Sequence, residues 1–359
     1  MKKNQGCRFV KEVVSKARAE EKNMKFEKSM WKKIMLSLLL APMLMGCNWG
    51  EQQYVFPEPV VRHLADPFVL TASDGVYYMY GTSTNEGGVF RAWSSTDLEN
   101  WQSEGIVFYY RRGDWAYTHF WAPEVVERDG RFYMFYTARE RSTNRLHIGL
   151  AVSDSPLGPF VDERQRPLLN VNYAVIDAHV FIDDDGRIFM YYSRDCSENV
   201  VNGIHRSDIY VVELDEDFEQ KGDPIFLFSP TQEWETKDVQ LGWLWVEGPS
   251  VIKIGDTYYM TYSGNPYYAF EYAIGVATSD SPTGPFEKYE GNPVVQGDME
   301  QNVSGTGHNS IFRSQDGERI YIAYHIHMNP TVGGGSRKVL ISQVEFIDGT
   351  MRLIPQNER

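Results

Sequence analysis

From Ala65 the chain reads ADPFVLTASDGVYYMYGTS: an apolar strand, a polar turn, then an aromatic strand. The same alternation returns as APEVVERDGRFYMFYTAR from Ala122, DAHVFIDDDGRIFMYYSRD from Asp177, EGPSVIKIGDTYYMTYSGN from Glu247 and GHNSIFRSQDGERIYIAYHIH from Gly307. Each turn carries Asp and Gly, which suit hairpins because glycine enters positive φ without steric cost. The aromatic strands run to Tyr80, Tyr136, Tyr192, Tyr262 and Tyr324, a period of roughly 55 to 70 residues. A weaker pair of apolar segments follows each hairpin, as in HIGLAVSDSPLGPFVDE and YAIGVATSDSPTGPFEKYE. The near-duplicates SDSPLGPF and SDSPTGPF read as a turn joining two outer strands, with the Phe packed between sheets. Four strands per unit, repeated five times without helical periodicity, predict an all-β fold: a five-bladed β-propeller around a central channel, over residues 61–356. A β-sandwich would not repeat one four-stranded unit five times.

Ahead of the repeats stands an apolar run, IMLSLLLAPMLM (34–45), preceded by Lys25, Lys28, Lys32 and Lys33. It is shorter than the roughly 20 residues needed to span a bilayer. Basic flank, short apolar core and small residues form the pattern of an export signal. The run ends in LMGC (44–47), which resembles the lipobox of bacterial lipoproteins. The expectation is that residues 1–46 are removed, Cys47 is lipidated, and residues 47–60 tether an exported, membrane-anchored domain. Residues 1–23 read as sequence ahead of a true start at Met24.

This leader holds 11 of the 35 Lys and Arg and 4 of the 49 Asp and Glu, leaving 24 basic and 45 acidic residues, net −21. So acidic a surface repels phosphate backbones and excludes nucleic acid as a partner. It suits a neutral ligand, with the membrane reached only through the lipid, and a monomer is expected. Of three cysteines, Cys196 alone remains free in the domain, so no intramolecular disulfide is expected and it reads as a small core residue.

In a propeller the first strand of each blade lines the channel, and its start opens at one end where ligands bind. The five starts are Asp66, the WAPE segment (121–124), Asp177, Glu247 and His308. Three are carboxylates at what the repeat makes equivalent places. Acids converging in a partly desolvated pocket repel one another, which raises the proton affinity of at least one. An ionised carboxylate beside a protonated one is the equipment of glycoside hydrolysis: one protonates the leaving oxygen and one activates water.

The chain resembles glycoside hydrolase family 43 over residues 60–350. The resemblance is carried by ADPFVL (65–70), WAPEV (121–125), IDAHVFIDDDG (176–186), VEGPSVIK (246–253) and GTGHNSIF (305–312). It implies a five-bladed propeller and an inverting reaction, with Asp66 as general base, Glu247 as general acid, and Asp177 raising the pKa of the acid and orienting it. Ala178 departs from the proline often found after the third-blade Asp. Fructan-cleaving propellers are set aside, because Asp66 lies in HLADPF and Glu247 is followed by Gly248.

Around these acids, Trp121 and Arg337 are candidate substrate-binding residues, Arg337 following the flexible GGGS (333–336). His308 is both a substrate-binding candidate and, through waters, a candidate support for a structural calcium in the channel; a metal-free, hydrogen-bonded histidine is the alternative. No cofactor is required for the chemistry. His325 and His327 read as structural. DDDG (183–186) lacks the spaced ligands of a calcium loop and reads as an exposed hairpin turn. The expected substrate is a neutral plant-type oligosaccharide or polysaccharide containing arabinose or xylose. An α-L-arabinofuranosidase leads, with β-xylosidase and endo-α-1,5-L-arabinanase as alternatives on the same scaffold. A non-catalytic sugar-binding propeller is the alternative of another class.

Overall fold

A computed structural model describes residues 54–355. The leader, Cys47 and residues 47–53 of the expected tether lie outside the described residues. Five antiparallel sheets follow one another along the chain, and they are the blades of a β-propeller. Blade I comprises Leu64–Thr71, Tyr77–Ser83, Val89–Ser95 and Gln102–Tyr109. Blade II comprises Ala116–Arg128, Arg131–Glu140 and Leu146–Ser153, with a fourth edge reduced to a bridge between Val152 and Val161. Blade III comprises Val175–Ile182, Ile188–Arg194, Asp208–Leu214 and Gln220–Phe228. Blade IV comprises Val246–Ile254, Thr257–Gly264, Ala273–Ser279 and Glu287–Lys288. Blade V comprises Gly307–Arg313, Ile320–His327 and Arg337–Ile347.

The outer edge of blade V is shared. Val61–Arg62 pairs with Val339 and Lys338, while Thr350–Leu353 pairs with Val344 through Ile347. The N-terminal strand thus closes the ring. Residues 54–60, read as tether, lie on the propeller: the Tyr54 and Ser342 hydroxyls are 2.7 Å apart, the Phe56 N–H donates to Gln301 Oε1 at 3.1 Å, and the Val60 N–H donates to the Val339 carbonyl at 2.9 Å.

The apolar side chains of the strands form a cluster at each blade junction. Phe90, Val125 and Tyr136 belong to the I–II cluster, Leu150, Val180 and Tyr192 to II–III, and Phe189, Val251 and Tyr262 to III–IV. Ile274, Ile322 and Tyr324 belong to IV–V, and Leu64, Met79 and Phe312 to V–I. Each blade therefore buries both of its faces, which is why the inner strands read as near-continuous apolar runs. The duplicated turns behave as expected. Phe160 and Phe286 pack edge-on against Tyr80 and Tyr191, whose hydroxyls donate to the carbonyls of Pro156 and Pro282 at 2.7 Å. The DDDG turn differs in one residue: Asp183 is buried and accepts from Lys253 Nζ at 2.9 Å and the Tyr258 hydroxyl at 2.6 Å.

Candidate active site

Every inner strand breaks register at the same place. Pairing skips from Ala65 to Phe68, Trp121 to Glu124, Ile176 to His179, Glu247 to Ser250 and Gly307 to Ser310, with one residue of the second strand opposite each gap. This is a β-bulge, repeated five times. Its first residue takes a left-handed backbone in each blade: Asp66 (φ 52°), Ala122 (φ 43°), Asp177 (φ 58°), Gly248 (φ 57°) and His308 (φ 42°). A bulge interrupts the in-out alternation of a strand and re-aims side chains, so two successive residues can face one side.

The bulge corrects the sequence alignment at two points. Asp66 and Asp177 are equivalent, but Glu247 precedes the bulge by one residue, level with Trp121 and Ile176. The equivalent residue in blade IV is Gly248, and a Cβ there would stand 3.2 Å from the His308 ring. The acid of blade IV therefore projects from the neighbouring position. In blade I the residue opposite the bulge is Gly81, level with Tyr136, Tyr192, Tyr262 and Tyr324, and Tyr80 lies one residue earlier.

Asp66, Asp177 and Glu247 open together into one pocket of about 260 Å³. Trp121, His308 and Arg337 stand in its wall, as the sequence proposed. Thr82, Ile176, Asp195, Trp245 and Tyr267 complete the lining. Trp245 and Tyr267 fall in the aromatic stretches GWLW (242–245) and NPYYAFEY (265–272). Asp195 directly follows the second strand of blade III, level with Arg139 and Asn265, and because no other blade has an acid there no sequence signal marked it.

The three acids are held differently. Burial alone would raise Asp66, but the positive charge that His308, Arg337 and His325 can place beside it outweighs burial and holds the carboxyl far below its ordinary range. At neutral pH the lasting partners are Arg337, whose Nη1 is 3.5 Å from Oδ1, and Thr82, whose hydroxyl donates to Oδ2 at 2.6 Å. The hydrogen on Thr82 is committed to Asp66, because its oxygen already accepts the Ala122 N–H at 2.7 Å. His325 is neutral there: burial depresses it to about 3, and its Nδ1 accepts the Asp66 N–H at 3.1 Å. It was read as structural, and the structure places it against Asp66.

Glu247 is pushed up to about 7, first by burial and then by the Asp66 and Asp195 charges, against the pull of the Tyr272 hydroxyl, which donates to Oε1 at 2.8 Å. Asp177 is raised well above the ordinary carboxylate range by burial and by the Glu247 and Asp66 charges. Its Oδ2 accepts the Gly248 N–H at 3.1 Å. One carboxylate is thus fixed as the anion, and the other two hold a proton more tightly than an ordinary carboxyl.

Hydroxyl and imidazole groups tie the blades together behind the acids. The bulge N–H groups of Ala122, Asp177 and His308 donate to Thr82, Thr137 and Ser263 of the preceding blade. His325 does the same for Asp66. In blade III the equivalent Ser193 hydroxyl has no partner, and Asp177 itself takes the Gly248 N–H. One layer deeper, Glu124 Oε2 and His179 Nδ1 are 2.8 Å apart, and His179 Nε2 accepts the Val251 N–H at 3.0 Å.

Calcium takes about six to eight oxygen ligands. Among the described residues no three His, Cys, Asp or Glu side chains converge to hold a metal ion. The reading in which waters bridge His308 to a calcium ion stands as a proposal.

A closed propeller with three carboxyls converging on one pocket defines a class: glycoside hydrolases acting with paired acids. The family model described as Glycosyl hydrolases family 43 matches residues 56–351. A β-D-galactofuranosidase of Aspergillus niger is 30% identical over 279 residues, covering 73% of this chain and 73% of the relative. An extracellular exo-α-(1→5)-L-arabinofuranosidase of Streptomyces avermitilis is 25% identical, covering 75% of this chain and 56% of that protein. Among solved structures, a thermostable family-43 glycoside hydrolase superposes with a TM-score of 0.78 at 41% identity, covering 86% of this chain and 97% of the other. A protein described as an endo-1,4-β-xylanase of Bacteroides thetaiotaomicron superposes with a TM-score of 0.71 at 32% identity, over 83% and 97%. The chain belongs to glycosyl hydrolase family 43 and is a glycoside hydrolase.

Proposed function

We propose that the protein is an exported, inverting α-L-arabinofuranosidase that removes terminal arabinose from plant-type oligosaccharides or polysaccharides. The observation that carries the reading is the convergence of three carboxyls, Asp66, Asp177 and Glu247, on one pocket, the last two of them buried. Asp66, ionised and flanked by Arg337 and Thr82, is the general base: it takes a proton from a water attacking the anomeric carbon. Glu247, protonated up to about pH 7, is the general acid: it gives its proton to the departing oxygen. Asp177 holds Gly248 and shares the proton equilibrium of Glu247. Arg337 lies over the Tyr267 ring at 4.6 Å, with Nε donating to the Gly335 carbonyl at 3.2 Å and Nη1 turned to Asp66, and it lines the pocket where a sugar would sit.

A second reading is endo action on a longer chain. It is favoured by a cleft of about 470 Å³ between blades I and II, lined by Asn85, Glu86, Tyr110 and His119, which shares Thr82 and Trp121 with the pocket. β-Xylosidase activity remains the other alternative on this scaffold.

The test is hydrolysis of 4-nitrophenyl arabinofuranoside and xyloside and of arabino- and xylo-oligosaccharides, with the first-formed anomer read by NMR. The expected result is release of single arabinose units with inverted configuration. Glu247→Gln should lose natural substrates by about a hundredfold or more while sparing aryl glycosides, whose leaving group departs unprotonated. Asp66→Asn should lose both. Retained configuration, or equal losses for Glu247→Gln on both substrates, overturns the roles. Lipidation at Cys47 has its own check: Cys47→Ser should move the protein from the membrane fraction to the soluble one, and an unchanged distribution refutes the anchor.

A further inference from the structure

On the acid's side of the pocket the chain carries an insertion that no other blade has. Between the second and third strands of blade III, Val200–Val201 and Ile204–Arg206 form a short hairpin. It pairs in parallel with Trp243–Leu244, just ahead of the blade IV inner strand. The His205 N–H donates to the Gly242 carbonyl at 2.8 Å and the Ser207 N–H to that of Leu244 at 3.0 Å.

This small sheet positions a stack of rings. His205 lies on Trp243 with centroids 3.9 Å apart and planes at 12°, and Trp243 lies beside Trp245 at 5.7 Å and 16°. The stack ends on Trp245, which lines the pocket two residues before Glu247. Asp195 lines the same wall. Its N–H is anchored on the Ala174 carbonyl at 2.9 Å, and Oδ1 accepts the Ser197 N–H at 2.9 Å. Oδ2 has only the Cys196 thiol, 4.0 Å away. Asp195 thus lines the pocket with one carboxylate oxygen holding no contact but a long one to a thiol, on the same wall as an indole braced by a ring stack.

We propose that Asp195 and Trp245 form the binding site for the leaving-group sugar, taking a neutral, hydroxylated ring and disfavouring a uronic acid. The inference rests on the hydrolase reading, in which Glu247 protonates the departing oxygen and so fixes the side on which the leaving group lies. A sugar ring offers two chemistries: an apolar C–H face, which suits an indole, and hydroxyl donors, which suit a carboxylate. Asp195 and Trp245 supply one of each. A carboxylated sugar would bring a second negative charge against Asp195, in a pocket already holding ionised Asp66, where like charges repel.

A 4-nitrophenyl leaving group has no hydroxyls, and this separates the roles. The experiment measures kcat/KM for a neutral oligosaccharide, for its uronate-bearing analogue and for the 4-nitrophenyl glycoside of the same terminal sugar. Asp195→Asn should lose about tenfold or more on the neutral oligosaccharide, the loss of a charged hydrogen-bond acceptor. It should stay within about threefold on the aryl glycoside and narrow the preference for neutral over uronate chains. Trp245→Ala should weaken the oligosaccharide selectively as well, and the isosteric Asn variant carries the test if the Ala variant fails to fold. Equal losses on oligosaccharide and aryl substrates would mean that Asp195 supports the whole pocket rather than the leaving-group sugar, and they overturn the site; an oligosaccharide loss confined to kcat, with KM unchanged and the alkaline limb of the pH profile moved, would mean that Asp195 acts only through Glu247 and overturns it as well. An unchanged neutral-to-uronate ratio overturns the charge discrimination. A wild-type chain idle on every substrate overturns the hydrolase reading, and this inference with it; an active wild type with undiscriminating variants overturns the inference alone.

Discussion

Glu247 works against the fold it sits in. Buried, with Asp66 and Asp195 nearby, it binds its proton more tightly in the folded chain than in the unfolded one: about 7 against an ordinary 4.5. The sign follows from proton counting. Below pH 4.5 the group is neutral in both states and adds no penalty. As pH rises from 4.5 to about 7 the unfolded chain releases the proton first, so stability falls across that window and stays lower above it. The gap corresponds to about 3 kcal/mol at one unit per 1.36 kcal/mol. Glu247→Gln removes the titration and keeps an oxygen for Tyr272. The variant should be more stable than the wild type at pH 8, by up to about 3 kcal/mol, and no more stable at pH 4. Urea denaturation at the two pH values checks this, and an equal effect at both removes the electrostatic account.

Five bulges, rather than five strand starts, organise the site. The repeat, the blade count, the inward acids and the outer turns were all legible in one chain of residues, because each rests on local alternation and turn chemistry. Register across strands was not legible that way. A bulge is defined by what stands opposite, so Glu247 appeared level with Asp66 and Asp177, and Tyr80 appeared level with Tyr136. His325 stands in the row of Thr82, Thr137, Ser193 and Ser263, but its contact with Asp66 arises only when blade V meets blade I. Asp195 ends its repeat unit at a place where the other blades have Thr84, Arg139, Asn265 and His327, so no recurring acid marked it. The bulge also explains the Gly-Pro after Glu247. Gly248 takes φ 57° where any side chain would press on the His308 ring at 3.2 Å. Gly248→Ala should cost about 1–2 kcal/mol from the left-handed backbone and the contact. It should also lower kcat/KM by shifting His308 and the N–H that Asp177 accepts. Chemical denaturation alongside kinetics tests this, and a variant of wild-type stability would show that the ring yields freely.

At the scale of the whole molecule, the ring closes beside the site it serves. Val61 and Arg62 pair with Val339 and Lys338, immediately after Arg337, and the His63 ring reaches Ser336 at 3.3 Å. Three residues further along the same segment stands Asp66. The closing strand thus holds both members of the Asp66–Arg337 pair, one through the chain and one across the sheet. The other outer strand, Thr350–Leu353, pairs with the far end of Arg337–Ile347, away from the pocket. The two edges should therefore differ in what their loss does. A chain beginning at Leu64 forfeits the buried Val61 and the edge hydrogen bonds, on the order of 3 kcal/mol. It also frees the start of the Arg337 strand, so kcat/KM should fall by about tenfold or more, as expected when a positioned group loses its support. A chain ending at Ile347 should lose stability, since Met351 is buried in the IV–V cluster, yet keep kcat/KM within about threefold at temperatures where it stays folded. Melting curves and kinetics on the two truncations decide the matter. Equal kinetic losses from both ends would mean that closure stabilises the ring without positioning the site.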